Sequence, residues 1–209
     1  MNNFKHSDGF TLLELLIVVS IAAILMLVAA PSMVDMQKRG AVKGLARDVV
    51  SAINYARSEG LSRNKLVSMC PSADGATCGD AAAWSDGWLI FIDDGAGASF
   101  GDGDYTSGTD SELLQVYSNQ GSARLRAIDA DDASALESLS WNFRGYSNDG
   151  SRSVLVICEP DGNATYARGV SVERSGRAMT SSDSDGNGTH DSVFDDGNGT
   201  ATTEDLTCL

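Results

Sequence analysis

Between Phe10 and Met33 the chain carries one charged side chain, Glu14. That run is long enough for a membrane-spanning helix, which needs about 20 predominantly apolar residues. An unpaired carboxylate inside such a run costs about 2.5–3.5 kcal/mol on insertion scales, so it marks a candidate functional site. The run holds no Lys, Arg or His to pair with it. An amine made by cutting the chain just after Gly9 is one candidate partner. Two rival readings stand beside this one, an ordinary secretory signal and a plain single-pass anchor. Lys5 and Val28-Ala29-Ala30 imitate a secretory signal. Its apolar core would nonetheless be long for that class, with an acid near its start.

Removing the leader and the whole N-terminal helix, through residue 64, leaves about 145 of the 209 residues, enough for one domain with its own core. The net charge of −14 is unevenly spread. Residues 35–65 hold seven basic groups (Lys38, Arg39, Lys43, Arg47, Arg57, Arg63 and Lys65) against Asp35, Asp48 and Glu59. Residues 66–209 hold seven Arg and 24 acids. Such a head repels bulk nucleic acid.

Past Pro31 the apolar residues Val34, Val42, Leu45, Val49, Ile53 and Ala56 recur near the 3.6-residue period, which predicts an amphipathic helix ending near Gly60–Asn64. Pro31 removes one helix hydrogen bond and is expected to kink or loosen the helix. The basic groups of this stretch are expected to face acids of the head. Strands are expected at Leu66–Cys70, Gly87–Ile92, Leu113–Tyr117, Leu139–Phe143, Ser153–Cys158 and Gly169–Glu173. Thr180–Leu209 carries seven acids, no basic group and several Gly-Asn-Gly steps, and reads as an extended acidic loop.

The cysteines, Cys70, Cys78, Cys158 and Cys208, all follow the apolar run. An even number in an exported domain implies disulfides, with three possible connectivities. Sequence proximity pairs Cys70 with Cys78, and leaves Cys208 to pin the C-terminus to Cys158. Zinc is the rival, but neither the cysteine spacing nor the distant His6 and His190 fits a usual ligand pattern.

The leader Met1–Gly9, followed by Phe10-Thr11-Leu12-Leu13-Glu14, resembles the class III leader of type IV pilins and pseudopilins. The resemblance implies that a membrane-embedded prepilin peptidase cuts after Gly9 and methylates Phe10. It also puts the family's assembly glutamate on Glu14 and its helix-disrupting proline on Pro31. Further on come Ala56-Arg57-Ser58-Glu59, Met69-Cys70-Pro71-Ser72, Gly87-Trp88-Leu89-Ile90-Phe91-Ile92-Asp93 and Ser175-Gly176-Arg177. This order is similar to the H-type pseudopilin and FimT/FimU minor-pilin family.

The implied fold class is α+β: a leader (1–9), a transmembrane and assembly helix (10–33), its amphipathic continuation (34–64) and a β-rich antiparallel head with an acidic C-terminal loop (65–209). The implied function is structural, as a minor pilin or pseudopilin that joins or primes a type IV pilus or a type II secretion pseudopilus. Its partners would be other pilins or pseudopilins, the prepilin peptidase and the inner membrane. Before assembly its head would lie in the periplasm, and afterwards in a filament or at the cell surface.

No catalytic set is visible, neither Gly-x-Ser-x-Gly, His-Glu-x-x-His nor a phosphate-binding glycine loop. The chain is therefore read as a non-enzyme, with His190 a solvated loop residue. Asp183-Ser184-Asp185-Gly186-Asn187-Gly188 matches the first half of a calcium loop, with Asp191 at its ninth position. Phe194 replaces the bidentate Glu at the twelfth, so a plain acidic turn competes with calcium. Asp93–Asp104 reads as a turn. Some FimT-like proteins bind DNA in natural transformation through Gly-Arg-x-Arg. Here the tetrad is Gly176-Arg177-Ala178-Met179, which lacks the second Arg in an acidic setting, so Arg177 is expected to be an exposed strand-end residue and nucleic acid is not expected as a partner.

Overall fold

Thr11 starts the first helix. Its Oγ1 accepts the backbone N–H of Glu14 at 3.2 Å, which satisfies one orphan donor of the first turn. From there α1 (Leu12–Arg63) runs for 52 residues, with the backbone assigned as helix through position 31. It stops at Asn64, whose φ of 55° lies in the left-handed region that Asn tolerates just past a helix end.

The computed structural model describes residues 10–95, 100–110, 112–195 and 201–208, with side chains for all of these except 27–32, 192–195 and 201–204. The leader residues 1–9, and with them the cleavage-site Gly9, lie outside the described residues, as does the Pro31 side chain. The chain divides into two units, Met1–Gln37 and Lys38–Leu209.

In the first unit every described large apolar side chain from Phe10 to Met26 is exposed. Among the described residues no helix is long and apolar enough to cross a membrane. The side chains of 27–32, which complete the apolar run in the sequence, are not among them.

In the second unit α1 is followed by β1 (Val67–Pro71), β2 (Gly87–Ile92), β3 (Glu112–Ser118), β4 (Arg124–Asp129), β5 (Leu139–Trp141), β6 (Ser153–Cys158), β7 (Arg168–Val172), β8 (Ala178–Thr180), β9 (Asp191–Asp195) and β10 (Ala201–Asp205). The strands form two four-stranded sheets, ordered β3-β2-β1-β5 and β4-β6-β7-β8, and the pair β10-β9. Every strand pair is antiparallel. The fold is thus α+β, with a long N-terminal helix on antiparallel sheets.

Val42, Leu45, Val49, Ile53 and Ala56, spaced three or four apart, are buried in one cluster with residues of both four-stranded sheets, among them Met69, Ile90, Leu155, Ile157 and Val170. β1, β2 and β6 are buried along their whole length, which explains their nearly continuous apolar sequence. Trp84, Trp88 and Trp141 are all fully buried. The indole of Trp84 donates to the Leu136 carbonyl at 2.7 Å. That of Trp141 donates to the Gly176 carbonyl at 3.1 Å. Trp88 stacks on Tyr117 with centroids 3.9 Å apart, and the Tyr117 hydroxyl donates to Asp48 of α1 at 2.8 Å.

Three expectations need correction, and one strand, Arg124–Asp129, answers to none of them. Thr180–Leu209 is not simply an extended loop, because it contains β9 and β10, paired from Asp191↔Asp205 to Asp195↔Ala201. Val193, Thr202 and Thr203 are β-formers whose signal the surrounding Asp and Gly obscured. Arg124–Asp129 is a strand, with Leu125 and Ala127 buried on either side of Arg126. Val34 is exposed rather than part of the buried stripe. The strand from Leu139 ends at Trp141, and Phe143 is exposed.

Ile53 is fully buried, whereas its neighbour Asn54 is exposed. Ile53→Ala should therefore cost about 2–5 kcal/mol in urea unfolding of the purified protein, and Asn54→Ala within about 0.5 kcal/mol of zero. Equal effects would place α1 outside the core.

Candidate assembly and metal sites

Glu14 lies in the first turn of α1, three residues after the Thr11 cap. The spacing is that of a capping box, and a negative charge there is also favoured by the helix dipole. The local fold therefore lowers the cost of holding this carboxylate in an apolar run. Phe10 precedes it and is 82% exposed, leaving the residue that would become the new N-terminus accessible.

The basic groups of residues 38–65 have different fates. The Lys38 ammonium lies 3.1 Å from Glu159 and 2.5 Å from Asp161, and Glu159 is almost fully buried. Hydrogen bonds first to Asp161 and then to Glu159 raise the Lys38 pKa, while Lys38 lowers that of Asp161. Arg63 bridges Glu59 and Glu112, each at 2.5 Å. Lys65 pairs with Asp94. The Arg57 Nε donates to the Gly145 carbonyl at 2.9 Å. Lys43 and Arg47 form no ion pair with any described carboxylate.

The four cysteines form two bonds, Cys70–Cys78 and Cys158–Cys208, with Cα separations of 5.6 and 5.8 Å. The second ties β6 to the C-terminal residues. Asp93 is buried and accepts from Ser68 Oγ and from the backbone N–H groups of Gly101 and Gly103. It organises its loop from inside, and burial pushes its carboxyl up despite these donors.

The structure brings together three of the four acidic-tail side chains read as metal ligands. Carboxylate oxygens of Asp183, Asp185 and Asp191 lie within 4.8 Å of one another. Asn187 turns its Oδ1 to the Thr189 N–H at 2.7 Å and donates from Nδ2 to Asp185 and Asp205, each at 2.9 Å. Asp183 accepts from the N–H groups of Gly186 and Gly188, and buried Asp191 accepts from that of Ser184 at 2.7 Å. Much of the carboxylate capacity is thus already used by the loop's own amides.

His190 is not a solvated loop residue. It is half-buried, with Nδ1 3.0 Å from the Ser181 carbonyl and 3.1 Å from Ser181 Oγ. Arg177 is exposed in the turn before β8. The glycine before it has a packing reason, since a Cβ on Gly176 (φ +73°) would stand 2.1 Å from the Gly145 carbonyl oxygen and 2.8 Å from the Trp141 ring.

A long N-terminal helix with an exposed apolar start and one carboxylate in its first turn, its later turns built into an antiparallel head, defines a pilin-class subunit. Residues 4–30 match the prokaryotic N-terminal methylation motif, and residues 45–176 match the type II transport protein GspH. The chain belongs to the GspH family, and so is a minor pilin or pseudopilin of the type IV pilus and type II secretion class.

Among solved structures, the type IV minor pilin FimU of Pseudomonas aeruginosa is similar over 69% of this chain and 90% of its own, at 22% identity and a TM-score of 0.49. The minor pseudopilin EpsH from the type 2 secretion system of Vibrio cholerae is similar over 66% and 94%, at 10% identity and a TM-score of 0.40. No curated protein matches the sequence significantly.

With three carboxylates engaged by backbone amides and no bidentate Glu, calcium affinity should be no tighter than the extracellular range of about 0.1–1 mM. Calorimetry on the purified protein, with Asp183→Ala and Asp185→Ala as controls, checks this. Binding in the micromolar range would contradict it. No heat at millimolar calcium, with an unchanged melting temperature, would leave a plain acidic turn.

Proposed function

We propose that the protein is a minor subunit that joins or primes a filament of the type IV pilus or type II secretion pseudopilus kind. The observation that carries this reading is the start of α1, apolar on every side, exposed, and charged only at Glu14. Apolar surface of this extent needs lipid or other apolar helices to cover it. In lipid, the helix is stored in the inner membrane with the head in the periplasm. In a filament, the same surface is covered by the equivalent helices of neighbours.

Glu14 gives this exchange its direction. A carboxylate among apolar helices is strongly favoured to find a cation. The cation available is the N-terminal amine of Phe10 after cleavage behind Gly9, on the same chain or a neighbour. The pair neutralises both charges in an environment where either alone is costly. The chemistry done to this chain, cleavage and methylation, belongs to the prepilin peptidase, and the subunit's own role is structural.

In a strain with that peptidase, intact-mass analysis should show a chain beginning at N-methyl-Phe10. Glu14→Ala should be processed and inserted into the membrane as well as wild type, yet be depleted from sheared filaments. Normal incorporation of the variant would remove the pairing argument, and a mature chain beginning at Pro31 or Ser32 would remove the pilin reading altogether.

A further inference from the structure

Arg39, Lys43 and Arg47 are four residues apart and share one face of α1. None of them has an ion-pair partner among the described residues. Arg39 instead sits over the Tyr166 ring, 5.0 Å from its centroid. Lys43 and Arg47 are exposed, and with Arg168 and His190 they line an open pocket of about 330 Å³ over Ala46 and Val50. No described acid lines it. Four basic side chains from α1, β7 and the segment before β9 therefore converge on one cavity, within a chain of net charge −14.

The geometry leaves these groups available. Arg168 spends one nitrogen on the Ala167 and Tyr166 carbonyls, at 2.6 and 3.5 Å, and the rest of its guanidinium fork has no partner among the described residues. His190 Nδ1 lies within hydrogen-bond reach of both the Ser181 carbonyl and its Oγ, at 3.0 and 3.1 Å, and Nε2 has no partner among the described residues. Burial, and then the charge of Arg168, pull the His190 imidazole below its ordinary value. Burial, and then Arg39, do the same to Arg168.

We propose that this pocket receives carboxylates from the acidic head of a second copy of this chain; the proposal rests on the filament-subunit reading above. Charge complementarity selects the occupant. Residues 66–209 carry 24 acids against seven Arg, and Asp102, Asp104 and Asp132 are exposed there with no ion pair among the described residues. Guanidinium groups bind carboxylates in paired, directional hydrogen bonds. A basic pocket on one side and an acidic surface elsewhere make a head-to-tail contact. Such a contact need not close, and when it does not it propagates as a helix, the symmetry of a filament.

The test uses the full chain in detergent micelles. Sedimentation at low salt should show self-association that weakens as salt rises, and the His190 ring resonances should shift with protein concentration. Arg47→Glu and Arg168→Glu should each weaken association by about tenfold or more, the loss expected when a close charge pair becomes a clash. Arg47→Lys should retain it, and unchanged melting temperatures should show that the variants fold. Salt-independent association, an unmoved His190, or equal association of the charge reversals would each overturn the proposal. So would saturation of the pocket by inorganic phosphate or duplex DNA in preference to the chain itself. Recovery of wild-type protein in sheared filaments is scored separately, and its failure would count against the subunit reading rather than against the pocket.

Discussion

Everything in the head depends on one buried stripe of α1. Val42, Leu45, Val49, Ile53 and Ala56 are all buried in the cluster that both four-stranded sheets share. Each buried Val, Leu or Ile of this stripe stabilises by about 1.5–3 kcal/mol relative to exposure. The start of α1 is exposed, whereas its later turns form the spine of a globular core.

Polar contacts set where along that stripe the head sits. Lys38 reaches Glu159 and Asp161 at one end. Tyr117 reaches Asp48 near the middle. Arg57, Arg63 and Lys65 hold Gly145, Glu112 and Asp94 at the other end. Exposed ion pairs contribute little apiece, but Lys38 neutralises a buried Glu159 whose isolation would be costly. Burial, reinforced by the bond to Asp48, pushes the Tyr117 hydroxyl up to about 12, so this tie stays intact across the physiological pH range.

Much of this architecture was legible in the sequence. The 3.6-residue spacing from Val42 to Ala56 gave the buried helix face, and the apolar runs Gly87–Ile92 and Ser153–Cys158 coincide with β2 and β6. The arrangement of Arg124–Asp129 was harder to see, because only Leu125 and Ala127 face inward and Arg126 interrupts them. β9 and β10 were hidden because Asp and Gly dominate their surroundings, and backbone pairing there does not need a continuous apolar run. The meeting of Lys43 and Arg47 with Arg168 and His190 had no local signal at all. These residues are more than a hundred positions apart, and only the packing of β7 against α1 brings them together. The Gly176-Arg177 step reads in the sequence as a strand-end residue, and the reason for its glycine, the nearby Gly145 carbonyl and Trp141 ring, is visible only in the fold.

Native-state hydrogen exchange on the full chain in detergent tests the central claim, that the later turns of α1 are core rather than a detachable handle. If α1 is the spine, amides from Val49 to Ala56 exchange only through global unfolding, with the same free energy as those of β1 and β6. Exchange of these helix amides through a lower-energy opening, while β1 and β6 remain protected, would contradict the account.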